Sequence, residues 1–454
     1  MKIFGQKIIF SILFSLISIT LISQDLGIKA PSQKRAIALV GGTIHPVSSD
    51  TIERGYVLFE NGKIVALGSG KGTKDFKPGT KVISIKGLHV YPGLIHPFTQ
   101  LGLKEISSLS DPTDIDEYGS ETPEARATVA VNPDSTVIPV SRSNGILLAG
   151  VFPSGGTIPG RAGVIRLDGW TTEDMTVTES AGLVVSWPNM SIITASWMKD
   201  SPEKQRENAN NQVKEIIKFF DDALDYYAAL DSGLQEARNL QFDAIRNIFP
   251  DEKGGKAEES VFVSAQKFDQ IVSAIQVSQK YGFNLVIVGG HEAHLCMPLI
   301  KKNDVGVILI NTYRLPRRID SDYDEAFKLP SILEKNGVKW GLAQSKMFGN
   351  ERNLPYNAGA AVGYGLSKKG AVKSVTLGAA QVLGIDDHYG SIELQKSATL
   401  IVATHSPLEI ICDIKMAFID GRQIDLQNKQ THLRDKYETK YKQIGKFPLQ
   451  RVVK

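Results

Sequence analysis

From residue 261 to residue 383 the chain alternates short β-branched runs with helical stripes, and that alternation leaves it few folds to adopt. Val261-Phe262-Val263 reads as a strand, after which Phe268, Ile271, Val272 and Ile275 fall on one helix face at the i, i+3, i+4, i+7 rhythm. Strands follow at residues 285–288, 305–310 and 338–342, with helices around 358–364 and 369–383. Upstream, residues 145–151 and 182–186 read as further strands, and residues 211–248 carry a long helical stripe from Val213 through Leu224. Strand–helix repetition of this kind predicts parallel strands joined by helical crossovers. The expected architecture is α/β, a TIM-like (β/α)8 barrel with its reactive groups at the C-terminal ends of the strands. An open doubly wound sheet is the alternative, but it leaves the two ends of the chain unexplained.

Those ends read as β structure. Residues 36–40, 57–59, 63–67, 81–85 and 89–91 are apolar clusters between turn signals, and Asn61-Gly62 marks a tight hairpin because Asn-Gly accepts positive φ. Residues 398–402, 411–414 and 417–419 repeat the pattern near the C-terminus, with Asp420-Gly421 as a turn. At the N-terminus, Lys2 and Lys7 precede an apolar run over residues 8–22 that is shorter than the ~20 residues a membrane span needs. That order predicts a signal peptide over residues 1–24, hence a periplasmic or secreted protein with no stable membrane span after cleavage. The net charge of +3 over 454 residues gives no electrostatic footprint for nucleic acid. Cys296 and Cys412 are the only thiols; they are too few for a thiolate zinc site, and their spacing does not say whether they pair.

The stretch Val90-Tyr91-Pro92-Gly93-Leu94-Ile95 leads directly into His96-Pro97-Phe98-Thr99-Gln100. It resembles the first barrel strand of the amidohydrolase superfamily, in its imidazolonepropionase-like branch, which is written PGLIDxHxH. Gly390-Ser391-Ile392-Glu393-Leu394 likewise resembles that family's GSLEV run. The resemblance implies a barrel over residues 91–389 and a composite β-sandwich from residues 36–90 and 390–430. A linker over 25–35 and a polar tail over 431–454 would flank them. It further implies hydrolysis of carbon–nitrogen bonds other than peptide bonds, on cyclic amide or peptide-like substrates, with zinc or a similar divalent ion.

The family's ligand and base positions carry other residues here. Phe98 and Gln100 stand for the first two histidines, Ser264 and Gly289 for two later ones, and Ser345 for the aspartate that serves as base. Neutral Gln and Ser oxygens are poor zinc ligands without imidazole, thiolate or carboxylate support, so no metal and no cofactor is expected. His291-Glu292-Ala293-His294 is a remaining candidate for a non-standard catalytic site, weaker than HExxH and without a visible third ligand; its bland alternative is a capping and rim-packing role. Asn311, Arg314, Arg352 and Asn353 are candidates for a polar rim over the mouth, or for a structural lid whose Arg352 pairs with Asp322 or Asp324. The Gly68–Thr73 run and Ser154 only imitate a phosphate loop and a nucleophile elbow, and both read as turns.

The expectation is therefore an exported protein of this family that has lost metal-dependent hydrolysis, a pseudoenzyme that binds a small-molecule or peptide-like ligand or partners an active paralogue. The alternatives are a hydrolase working through His291, Glu292 and His294, or a structural surface protein whose mouth is plugged by Phe98.

Overall fold

The computed structural model describes residues 28–106, 109–111, 113–234, 237–251, 255–344 and 349–445. The expected signal peptide and Ser345 lie outside the described residues. The rest forms two eight-stranded sheets with helices packed on one of them.

The first sheet draws on both ends of the chain. Strands β1 (Ile37–Ile44), β2 (Ile52–Glu60) and β3 (Lys63–Ser69) form a meander around the expected Asn61-Gly62 hairpin, and β4 (Lys81–Ser84) and β5 (His89–Pro92) run parallel to β1 on its other side. Strands β14 (Leu400–Ala403), β15 (Ile414–Ile419) and β16 (Arg422–Ile424) extend the sheet, with Ile401 opposite Tyr91 in an antiparallel pair. The sheet curls until Ile64 N–H donates to the Lys396 carbonyl at 2.9 Å. Leu39, Phe59, Ile64, Leu400 and Phe418 fill the space enclosed.

The second sheet is a nearly closed barrel of β6 (Leu94–Thr99), β7 (Ile146–Val151), β8 (Gly160–Arg166), β9 (Thr176–Ser186), β10 (Ser260–Ala265), β11 (Asn284–Gly289), β12 (Gly306–Ile310) and β13 (Trp340–Ala343), in that order. Strand β8, which sequence reading passes over, runs antiparallel to both neighbours. Only residues 152–159 separate it from β7, and a parallel connection needs a crossover of a dozen or more residues. The remaining pairs are parallel. Outside the barrel lie α1 (Val137–Ser143), α2 (Pro202–Asp231), α3 (Phe268–Tyr281), α4 (Met297–Lys302), α5 (Glu325–Lys335), α6 (Leu354–Val362), α7 (Lys368–Ser374) and α8 (Leu377–Val382). The single helix expected over 369–383 is broken at Val375 and Thr376. After the break Gly378 lies so close to β13 that a Cβ there would sit 2.3 Å from the Trp340 carbonyl oxygen. A last helix, α9 (Lys429–Gln443), is capped by Asn428 and buries none of its residues.

Alternation along the strands separates two apolar populations. Val261, Val263 and Ala265 of β10 face the helices with most of the core, while Phe262 points into the barrel with Phe98, Phe152, Val288, Ile308 and Ala343. Ala379, Ala380 and Val382 of α8 pack with this interior group. Cys296 and Cys412 are both free thiols.

Candidate functional site

The mouth is defined by what stands at the C-terminal ends of the barrel strands. On β6, Phe98 is 2% exposed, and its ring centroid lies 4.8 Å from that of Phe152, which in turn lies 5.0 Å from Phe262 in an edge-to-face contact. Each buried phenyl ring contributes roughly 1.5–3 kcal/mol, and each such aromatic pair adds about 0.5–1.5 kcal/mol. The barrel interior at Phe98 is therefore apolar packing. Beyond it, the Gln100 amide donates to Ser154 Oγ at 2.9 Å.

Across the barrel, Gly289 has φ of 109°. A Cβ there would come within 2.2 Å of Gln266 Nε2, so the Gln266 side chain lies in the space that any larger residue at 289 would claim. Ser264 is half-buried, and its carbonyl accepts the Trp187 N–H at 3.3 Å. Gln344, at the end of β13, accepts from Asn357 Nδ2 at 2.6 Å, and Asn357 Oδ1 accepts from both the hydroxyl and the backbone N–H of Thr312. His96 lies against the same strand end and is 1% exposed. Its Nε2 accepts the Gln344 N–H at 3.4 Å, and burial pushes the imidazole down to about 3.

Of the His291, Glu292 and His294 candidates, the first two hydrogen-bond the backbone. His291 Nε2 donates to the Ile310 carbonyl at 3.0 Å, and burial followed by the Arg314 charge lowers the ring to about 4. Glu292 accepts the Phe268 N–H at 2.8 Å, which satisfies an orphan donor in the first turn of α3. His294 is half-buried, and burial lowers it as well. Of the rim candidates, Arg314 is held by Glu325 at 3.0 Å and Asn311 hydrogen-bonds Tyr313. Arg352 and Asn353 line a different groove, with Asn144, Tyr356 and Arg434. Asp324 pairs with Lys328, so the ion pair considered for Arg352 is taken elsewhere.

Trp187, Gln266 and Glu351 at the mouth carry no signal in the sequence, and the burial of the candidate His291 carries none either. Trp187 Nε1, Gln266 Oε1 and His291 Nδ1 are buried and have no hydrogen-bond partner among the described residues, and these residues stand just beyond the ends of the adjacent strands β9, β10 and β11. Glu351 is 4% exposed; burial raises its carboxyl, Thr99 hydrogen-bonds it, and Oε2 has no partner among the described residues. Only the folded chain shows that these atoms are shut off from water.

No family model and no curated protein matches this sequence. Solved structures do match the fold. An amidohydrolase from Thermotoga maritima MSB8 superposes with a TM-score of 0.72 over 86% of this chain and 99% of that one, at 21% identity. The chain has the amidohydrolase fold. A zinc-bound adenosine deaminase from Xanthomonas campestris (TM-score 0.50, 13% identity, 91% and 99% coverage) and a Xaa-Pro dipeptidase with methionine in its active site (0.50, 15%, 86% and 100%) share it.

Zinc in one of these structures makes the donor set here the point to test. A phenyl ring, an amide bonded to Ser154, a hydroxyl and a glycine covered by Gln266 offer no imidazole, thiolate or carboxylate at the described ligand positions. Among the described residues, no three His, Cys, Asp or Glu side chains come together in a way that could hold an ion. These residues do not fit the divalent cation of the amidohydrolase fold.

Proposed function

We propose that this is an exported protein of the amidohydrolase fold that does not hydrolyse its ligand and instead binds a small amide or peptide-like molecule at the barrel mouth. The observation that carries the reading is Gln266 lying over Gly289, with its carbonyl oxygen, the Trp187 Nε1 and the His291 Nδ1, which follow three adjacent strands, all buried and without a partner among the described residues. A buried polar atom without a partner costs about 1–3 kcal/mol, and a ligand carrying amide N–H and C=O groups relieves that cost. Export rests on residues 1–24; no helix of the described residues is long and apolar enough to cross a membrane.

Two measurements test this. Protein purified without chelator should contain less than about 0.1 equivalent of zinc or a similar ion, because the site lacks ligands; one equivalent sinks the reading. Titration with a blocked dipeptide amide should change Trp187 fluorescence, and Gln266→Ala should abolish the change while leaving the fold intact.

A partner subunit is the second reading, favoured by exposed apolar side chains around the rim. Leu315, Ile319 and Tyr323 after β12 are 85%, 108% and 83% exposed, and Trp197 after β9 is 68% exposed. Tyr, Trp and Arg are the residues that anchor interfaces, and Arg317 and Arg318 stand in the same segment. Leu315→Asp with Ile319→Asp should then release an active paralogue that co-purifies with the native protein; co-purification that survives both changes removes this reading.

A further inference from the structure

A cleft of about 300 Å³ opens where the curled sheet meets the barrel. The β1–β2 turn, strand β5, the start of α7 and the loop after β14 form it, and none of these belongs to the mouth. Its floor is aromatic and apolar. His45 lies flat on Tyr91, with ring centroids 4.1 Å apart and planes parallel, and Val47 and Val372 complete the surface. His45 Nε2 and His89 Nδ1 share a hydrogen bond of 3.0 Å. Burial, reinforced by His89, holds His45 down to about 4, so it is neutral at pH 7 and repels no cation.

Two observations mark the cleft as more than a seam. Val47 has φ of 73°, a left-handed conformation that a β-branched residue adopts only at a cost of about 1–3 kcal/mol, and such strain collects at ligand sites. The charges at the rim are also unused by the fold. Lys368 and Lys369 on one wall, and Asp50 and Glu409 on the others, make no ion pair among the described residues. Ile410 and Ile411, beside Glu409, are 82% and 70% exposed. A simple anion would meet Asp50 and Glu409, and a simple cation would meet two lysines. Only a ligand that carries both signs satisfies both walls.

We propose that this cleft binds a small zwitterion, an amino acid or dipeptide with an apolar side chain. Its carboxylate is taken by Lys368 and Lys369, its ammonium by Glu409, and its side chain by Tyr91 and Val47. The site is separate from the mouth and stands whether or not the mouth binds a ligand.

Isothermal titration with glycyl-L-leucine tests it. A saturable heat is expected, weakened about tenfold or more when the probe is N-acetylated or C-amidated, since each block removes one charge-assisted contact. Lys368→Ala with Lys369→Ala should weaken the free dipeptide by a similar factor but leave the C-amide unaffected, and Glu409→Gln should do the same with respect to the N-acetyl form. These side chains are exposed, so thermal melts should match the parent protein. Equal binding of the blocked probes, displacement by acetate at equal concentration, or no saturable heat up to about 10 mM overturns the proposal. A heat that survives the lysine changes and vanishes in Gln266→Ala belongs to the mouth; it overturns this site and supports the other.

Discussion

At the barrel mouth, Phe98, Phe152 and Phe262 fill the interior, with Gln100 bonded to Ser154 and Gln344 to Asn357 above them; at the sheet–barrel cleft, Lys368, Lys369, Asp50 and Glu409 make no ion pair among the described residues. The two regions sit on one scaffold and are built in opposite ways. Inside the barrel this chain has invested in packing. Where the fold has only a junction between sheet and barrel, this chain exposes unpaired charge over a strained floor. Packing stabilises the barrel, whereas unpaired surface charge adds little stability and suits a ligand.

The sharpest way to break this contrast is to truncate the packed side. Phe152→Ala should destabilise the protein by about 3–5 kcal/mol, the range for a buried phenyl ring in a core that cannot collapse around the loss. Urea unfolding measures it, and a loss below about 1 kcal/mol would mean that the interior is a cavity open to ligand. A second handle is pH. His96 and His291 titrate in the folded protein well below the ordinary value of 6.5, at about 3 and about 4. The unfolded chain therefore binds more protons between these values. Stability is full above pH 6.5 and falls as pH drops toward 4, by up to about 1.4 kcal/mol per pH unit for each ring. Urea midpoints at pH 7 and pH 5 that coincide would show that these rings are not buried neutral.

Smaller effects sharpen the comparison. Glu292→Ala should cost about 1 kcal/mol through loss of the contact to Phe268 N–H, the scale of a helix cap, without altering any hydrolytic rate. A change in turnover with unchanged stability would return Glu292 to the candidate catalytic groups. Smallest of all, Lys368→Ala with Lys369→Ala should shift stability by less than about 0.5 kcal/mol, seen as superimposable thermal melts. A larger loss would make those lysines part of the structure and end the contrast with the mouth.

Strand and helix positions were legible where periodicity was strong. Val261-Phe262-Val263, the run after Phe268 and the Asn61-Gly62 hairpin all fall where their patterns place them. Strand β8 was not legible, because Gly160-Arg161-Ala162-Gly163 lacks a β-branched rhythm and is held in the sheet by its neighbours. The rim drawn from Asn311, Arg314, Arg352 and Asn353 also divided, since loops carry no period that says which way they turn.

The sequence by itself determined the strand–helix alternation, the two β-rich ends and the side-chain types at Phe98, Gln100, Ser264 and Gly289, because local propensity and side-chain chemistry are properties of short segments. Only the tertiary structure decided that Gln266 covers Gly289, that Glu292 caps a helix, that Glu351 is buried and that His45 stacks on Tyr91 in one cleft with Lys368 and Lys369. Burial and pairing depend on which distant segments the fold brings together, and no spacing along the chain encodes that directly.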